Sequence, residues 1–110
     1  LLQECVLGAE TYGVADEVFQ SMNRSYAGKN FDDLAHFLIG RTAIHGARRG
    51  HELEEAADTL RALGYDAFMC DGGAKRLKWL SEFGFKDDYG DTAPEDYREV
   101  FAELQKRRKT

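Results

Sequence analysis

The sequence predicts a mainly α-helical fold, a single compact bundle of about five helices. Apolar residues recur at intervals of three and four along most of the chain, acidic residues follow candidate N-caps, and glycine–aromatic pairs follow two of the helical patterns. One short strand pair fits around residues 66–70 and 85–89, so a small α+β domain is the alternative. The chain has 110 residues and no linker or repeat, and we therefore expect one domain, 1–110.

Two segments that lie twenty residues apart, Leu60–Tyr65 and Leu80–Phe85, share one helix-ending pattern. Each starts with leucine and ends with glycine followed by an aromatic residue. Glycine can take a left-handed conformation cheaply because it has no Cβ, and the next residue then folds back onto the last helical turn. We expect Gly64 and Gly84 to end two helices in the same way, with the aromatic residue covering the leucine.

The apolar periodicity places helices over residues 2–22, 31–49, 52–63 and 74–83, and a last helix starting at the capping box Thr92–Glu95. Asn30 is the predicted N-cap of the second helix, which we expect to be central. Four small residues form a seam along this helix where another helix could approach closely: Gly40, Ala43, Ala47 and Gly50. The basic residues Lys106–Lys109 suit the C-terminal end of the last helix.

Composition limits the classes of function. The net charge of -5 argues against a general nucleic-acid binder, whose surface would be basic. No apolar run approaches the ~18 residues of a membrane span, so we expect a protein without a membrane segment and place it in the cytoplasm. The pattern favours Cys5 and Cys70 as free thiols, with a bridge between them as the alternative.

The most promising binding face lies on the central helix. At spacings of four and three residues, Arg41, His45 and Arg48 share one side of it, and Arg49 follows. Arginine forks donate paired hydrogen bonds to phosphates and carboxylates, so this face could bind an acidic partner. The alternative is an exposed face whose charges pair with the acidic residues at 52–55.

A second candidate is an anion site at Gly72 and Gly73, which we expect to precede a helix carrying Lys75 and Arg76. Backbone amides in such a turn can form a nest for an anion. The histidines do not have the spacing of a metal site, and we expect neither a metal nor a cofactor.

Residues 47–85 resemble the second half of the acetyl-coenzyme-A-dependent N-acetyltransferases, where a helix, a short strand and a further helix follow a glycine-containing loop. Arg48–Gly50 carries the loop resemblance, which implies a cofactor pyrophosphate at its glycine. The sequence departs from the family at three positions. Ala47 replaces the first loop residue, Glu52 puts a carboxylate near the phosphates, and Leu80 stands where the family often has a catalytic tyrosine. We do not assign the family.

These observations favour a small acidic protein of regulatory or inhibitor type that acts by binding another protein. Charge is strongly segregated, with acidic residues concentrated at 52–58 and 87–99, and an acidic patch suits a basic site on a partner. A homodimer through the small-residue seam is a further hypothesis. The alternative function is an acyltransferase-like enzyme that binds a phosphorylated cofactor near Gly50 or Gly72-Gly73. Between the two, the sequence favours the non-enzymatic role.

Overall fold

A computed structural model describes residues 1–108, which form six α-helices and no strand. The helices are α1 (Leu2–Thr11), α2 (Ala15–Ser25), α3 (Phe31–Ala62), α4 (Phe68–Ser81), α5 (Phe85–Tyr89) and α6 (Tyr97–Arg107). The mainly α-helical class is confirmed. The strand pair and the α+β alternative are wrong, because residues 68–70 belong to α4 and 85–89 form α5. Lys109, placed in the basic end of the last helix, lies outside the described residues.

The predicted helix over 2–22 is two helices, separated at Gly13. This glycine is left-handed, with φ of +74°. Its N–H donates to the carbonyl of Glu10 at 3.0 Å, and the N–H of Val14 donates to the carbonyl of Ala9 at 2.9 Å. These are the two bonds of a Schellman helix end. The chain therefore reverses here, and α2 folds back against α1.

The same two bonds end α3. Gly64 has φ of +90°, its N–H donates to Arg61 at 3.0 Å, and the N–H of Tyr65 donates to Leu60 at 3.0 Å. The left-handed glycine predicted for this helix end is confirmed, whereas Tyr65, expected to cover Leu60, remains 38% exposed. The structural counterpart of Gly64 is Gly13, which is not followed by the aromatic residue of the predicted pattern.

The second predicted helix end, at Gly84, is built differently. After Ser81 the last turn of α4 tightens, and its backbone hydrogen bonds join residues three positions apart. Gly84, which is left-handed (φ +76°), serves as the N-cap of α5. The prediction that both helices end in the same way is wrong. Phe85 is nevertheless fully buried, and Leu80 packs against its cluster, as the aromatic fold-back predicted.

The predicted helices over 31–49 and 52–63 are one continuous helix, α3. Its start is as predicted, because the side chain of Asn30 accepts the N–H of Asp33 at 2.9 Å and the Asp33 carboxylate accepts the N–H of Asn30. The helix kinks at His45, whose φ of -107° and ψ of 17° are not helical. The glycine and histidine at 50 and 51, which suggested a boundary, lie inside the helix.

The small-residue seam on α3 is filled by the same chain. A Cβ built on Gly40 would lie 2.5 Å from the carbonyl oxygen of Pro94, and one on Gly46 would lie 2.6 Å from that of Leu77 in α4. Ala43 and Gly50 are also buried there, whereas Ala47 is exposed. The close approach predicted for this helix is therefore intramolecular, and the homodimer hypothesis loses the surface on which it was based.

Both later helices start away from their predicted positions. α4 begins at Phe68, six residues before the predicted start. α6 begins at Tyr97 with Asp96 as its N-cap, because the Asp96 carboxylate accepts the N–H of Arg98 at 2.8 Å. Pro94 lies before the helix and packs on α3.

The kink divides the core into two clusters. Ala43, Ile44, Phe85, Val100 and Leu104 form the first, between the first half of α3 and the C-terminal helices. Ala57, Leu60, Ala67 and Cys70 form the second, between the second half of α3 and α4. Within residues 1–108, none of the helices combines the length and apolar character needed to cross a membrane.

Candidate functional site

An open apolar groove of about 510 Å³ runs between α1, α2 and the second half of α3. Its walls include Cys5, Gly8, Val18, Leu53, Ala56 and Leu60. α1 packs against α3 with Gly8 facing Leu60, where a built Cβ would lie at an ordinary contact distance of 3.6 Å. α2 contributes Val18 to the groove, and its main helix neighbour within residues 1–108 is α1. The groove is therefore a surface that the chain itself leaves partly unfilled.

Large apolar side chains surround this groove and remain in contact with solvent. Tyr12 is 63% exposed, and Leu1 and Val14, which also line the groove, are exposed as well. The radius of gyration of 15.4 Å exceeds the ~13 Å of a compact chain of this length. Such concentrations of exposed apolar surface mark sites of interaction.

At one end of the groove, Glu4 of α1 closes the first turn of α4. Its two carboxylate oxygens accept the N–H groups of Met69 at 2.7 Å and Cys70 at 2.8 Å. Ala67, the N-cap residue, has no side chain that could do this. These backbone hydrogen bonds, led by that from Met69, lower the pKa of Glu4 although its burial acts in the opposite direction. Glu4 is therefore a fixed anion in the groove wall.

The two cysteines of the groove differ in environment. Both are free, with Cys5 exposed and Cys70 buried. Burial, followed by its hydrogen bond to Glu4, raises the pKa of the Cys70 thiol to about 11. The prediction of free thiols is confirmed, although only Cys70 is buried. Cys70 is therefore a protonated part of the core near neutral pH.

The helices that form the groove carry an excess of exposed acidic residues: Glu10, Asp16, Glu17, Glu55 and Asp58. The main cation nearby, Arg61, is already engaged. It pairs with Asp58 at 2.8 Å and with Asp71 at 2.9 Å, which raises its pKa. The groove thus has largely apolar walls and lies between helices that carry an excess of acidic residues.

The four residues of the predicted basic face separate into two pairs. Arg48 and Arg49 both approach the Glu52 carboxylate, at 3.8 and 3.6 Å, within α3 itself. Arg41 and His45 instead line a cavity beside the first half of α3. The expected pairing with acidic residues therefore holds for Arg48 and Arg49, whereas Arg41 shares one cavity with His45 and another with Arg49.

The loop geometry behind the predicted anion site at Gly72 and Gly73 is absent, because both residues lie inside α4. Their amides are in the helix rather than in a nest, and the free amides at its start bind Glu4. Of the two basic residues in this prediction, Lys75 is exposed and Arg76 stacks over Trp79 at 4.7 Å.

The residues that sequence reasoning missed are those of the groove. Val18 and Leu53 lie within helices that apolar periodicity predicts, but an apolar helix face alone does not show whether another helix covers it. Glu4 carried no local signal, because its two hydrogen-bond donors lie 65 and 66 residues away.

The fold and the groove define a helical domain with an apolar groove between helices that carry an acidic excess. The chain belongs to a family described as a domain of unknown function (DUF1932), whose profile matches residues 9–80. This match begins in the last turn of α1, covers α2 and α3, and ends in α4. Comparison with curated proteins and with solved structures finds no significant match.

Proposed function

We propose that this domain binds another protein by holding a basic amphipathic helix of that partner in the α1–α2–α3 groove. The observation that carries the proposal is the apolar groove, which is formed by helices with an excess of exposed acidic residues. Helix-in-groove recognition places the apolar face of a helix against such a groove and leaves its polar face outward. The proposed role is regulatory or inhibitory rather than enzymatic.

Apolar burial supplies the attraction in this proposal. The groove presents Val18, Leu53 and Ala56 to solvent or to a partner, and each apolar side chain buried there contributes to affinity. Tyr12, which lines the groove, extends the apolar contact, and aromatic residues are common anchors in protein interfaces.

The negative charge of the groove-forming helices determines which partner helices bind favourably. The exposed carboxylates on α1, α2 and α3 favour a helix carrying lysine or arginine, and they speed its encounter and disfavour acidic helices. Exposed charges of this kind are screened by salt, so we expect association to slow as ionic strength rises. A cytoplasmic setting belongs to the proposal and is supported by the two free thiols.

The test uses a synthetic amphipathic helix of leucine and lysine, about five turns long, with fluorescence anisotropy as the readout. Ala56→Arg puts bulk and positive charge into the groove, and we expect it to weaken binding about tenfold or more. Ala47→Arg is the matched control, because Ala47 is an exposed alanine on the same helix outside the groove. Equal loss in both variants, or equal binding of a leucine–glutamate helix, would contradict the proposal.

Self-association is the competing outcome for the same groove. Sedimentation of the unmodified protein distinguishes it: we expect a monomer over the concentrations used for the peptide assay. A dimer that Ala56→Arg dissociates would make a second copy of the chain the occupant and would overturn the proposal.

The acyltransferase-like alternative has less support. Gly50, the proposed pyrophosphate contact, packs against Ala74 and Lys78, where a Cβ would already lie 3.0 Å from the lysine side chain. Thermal-shift measurements with acetyl-coenzyme A test it directly. A ligand at a hundred times its Kd stabilises by about 2.7 kcal/mol, so a clear rise in melting temperature would favour this alternative.

A further inference from the structure

A second cavity, of about 600 Å³, lies on the opposite half of α3 from the groove. It is bounded by the first half of α3 and by the segment between α5 and α6. Lys29, His36, Arg41, His45, Asp91 and Glu95 are among its lining residues. Unlike the groove, this cavity brings charged groups of both signs together.

The two cations of the cavity share an aromatic platform. The ammonium of Lys29 lies 5.1 Å from the ring centroid of Phe37, and the guanidinium carbon of Arg41 lies 5.2 Å from the same centroid. Within residues 1–108, neither forms an ion pair, whereas Arg48 and Arg49 both do. Two like charges are thus held at one ring without a neutralising carboxylate.

The carboxylates that line the cavity also lack ion-pair partners among the described residues. Asp91 and Glu95 are exposed and form no ion pair in the part of the chain that the structure describes. The third acid, Asp33, accepts the N–H of Asn30 in the α3 capping box. Side chains of opposite charge therefore line one cavity without forming ion pairs with each other.

The two histidines supply further hydrogen-bonding groups. The Nδ1 atom of His36 accepts the N–H of Tyr97 at 3.1 Å and lies 3.6 Å from the Asp96 carboxylate. His45 is at the kink, where a break in regular helical geometry sets its side chain beside the cavity. Burial, and then Arg48 and Arg41, lower its pKa, so its ring is neutral near pH 7.

We propose that this cavity binds a small zwitterion, a molecule carrying one carboxylate and one ammonium group. Arg41 and Lys29 bind the carboxylate, and Asp91 and Glu95 bind the ammonium. A purely anionic ligand would leave both acids unpaired beside its own charge, and a purely cationic one would leave both bases unpaired. The aliphatic part of the ligand would lie against Phe37.

The chemical probes are three molecules matched in length: 6-aminohexanoate with both charges, hexanoate with the anion alone, and hexylamine with the cation alone. Glycine and 4-aminobutanoate vary the distance between the charges. The readout is the imidazole proton resonances of the three histidines by NMR. We expect at least one zwitterion to shift the His36 and His45 resonances with a Kd on the order of 1 mM, while the exposed His51 stays unchanged.

Two variants assign the charged halves of the site. Arg41→Gln and Glu95→Gln should each weaken zwitterion binding about fivefold or more, and Arg48→Gln, outside the cavity, should leave it unchanged. The unliganded NMR spectrum of each variant verifies that the fold is intact. Hexanoate binding as tightly as every zwitterion, shifts at His51 equal to those at His45, or no saturable shift would overturn the proposal.

Discussion

The Glu4 carboxylate in α1 accepts the backbone N–H of Cys70 in α4 at 2.8 Å, across 66 residues of sequence. Its second oxygen binds the N–H of Met69, so one side chain supplies the cap that the start of α4 lacks. The carboxylate also lies where the helix dipole favours negative charge. This contact fixes α1 against α4 and thereby sets one end of the groove.

Glu4→Gln should lower the stability of the folded domain near neutral pH, because it removes the charge and one hydrogen-bond acceptor. The folded-state pKa of Glu4 is depressed below 4.5. Its contribution is therefore full above that value and is lost as pH falls through the folded pKa. Urea unfolding at neutral pH and at a pH well below 4.5 measures this contribution to stability.

The exposed Glu10→Gln on the same helix is the control. We expect the two variants to differ in urea midpoint at neutral pH and to converge in acid. An equal midpoint for both variants at neutral pH would show that the Glu4 cap does not stabilise the fold.

Replacing a glycine with alanine should have opposite effects on stability in α3 and in α4. Gly46→Ala should destabilise by about 1–3 kcal/mol, because its Cβ would lie 2.6 Å from the Leu77 carbonyl and the helices would have to separate. Gly72→Ala meets nothing within 4 Å and should stabilise by about 0.5–1 kcal/mol through helix propensity. Denaturant unfolding of both variants tests the α3–α4 packing, and a neutral Gly46→Ala would contradict it.

The two thiols should react at very different rates. Cys5 is exposed, whereas Cys70 is buried with a pKa of about 11, so its reactive thiolate is scarce and inaccessible. Under mildly alkaline native conditions we expect iodoacetamide to modify one thiol per chain, identified as Cys5 by mass spectrometry. Cys5→Ser should abolish the fast reaction, and denaturant should expose Cys70. Fast modification of Cys70 in the native protein would show that α1 does not cover α4 as described.

Much of the helical architecture could be predicted from local sequence, and the exceptions have physical causes. Apolar periodicity identified the faces of α3 and α6, and Asn30 correctly marked the start of α3. Gly72 suggested a turn, but the helix there continues because tertiary contacts outweigh a propensity cost of about 1 kcal/mol. Likewise, Gly46 and Gly50 are required for close packing against α4 rather than for a chain break.

The candidate sites were less accessible from the sequence. The four-residue spacing correctly placed Arg41 and His45 near each other, since both lie on one helix. Spacing could not identify Lys29, Asp91 or Glu95 as residues of the cavity. These residues line it because α3 packs against the loops on either side. The groove was also missed, because periodicity identifies an apolar face but does not show whether that face is covered.

The most direct test of the central claim is a residue-by-residue NMR map of where the leucine–lysine helix binds. We predict amide shift changes in α1, in α2 and in residues 53–60 of α3, with α5 and α6 unchanged. Ala56→Arg should remove those changes, and Ala47→Arg should preserve them. Changes centred on α5, α6 or the first half of α3 would contradict the groove as the partner-binding site.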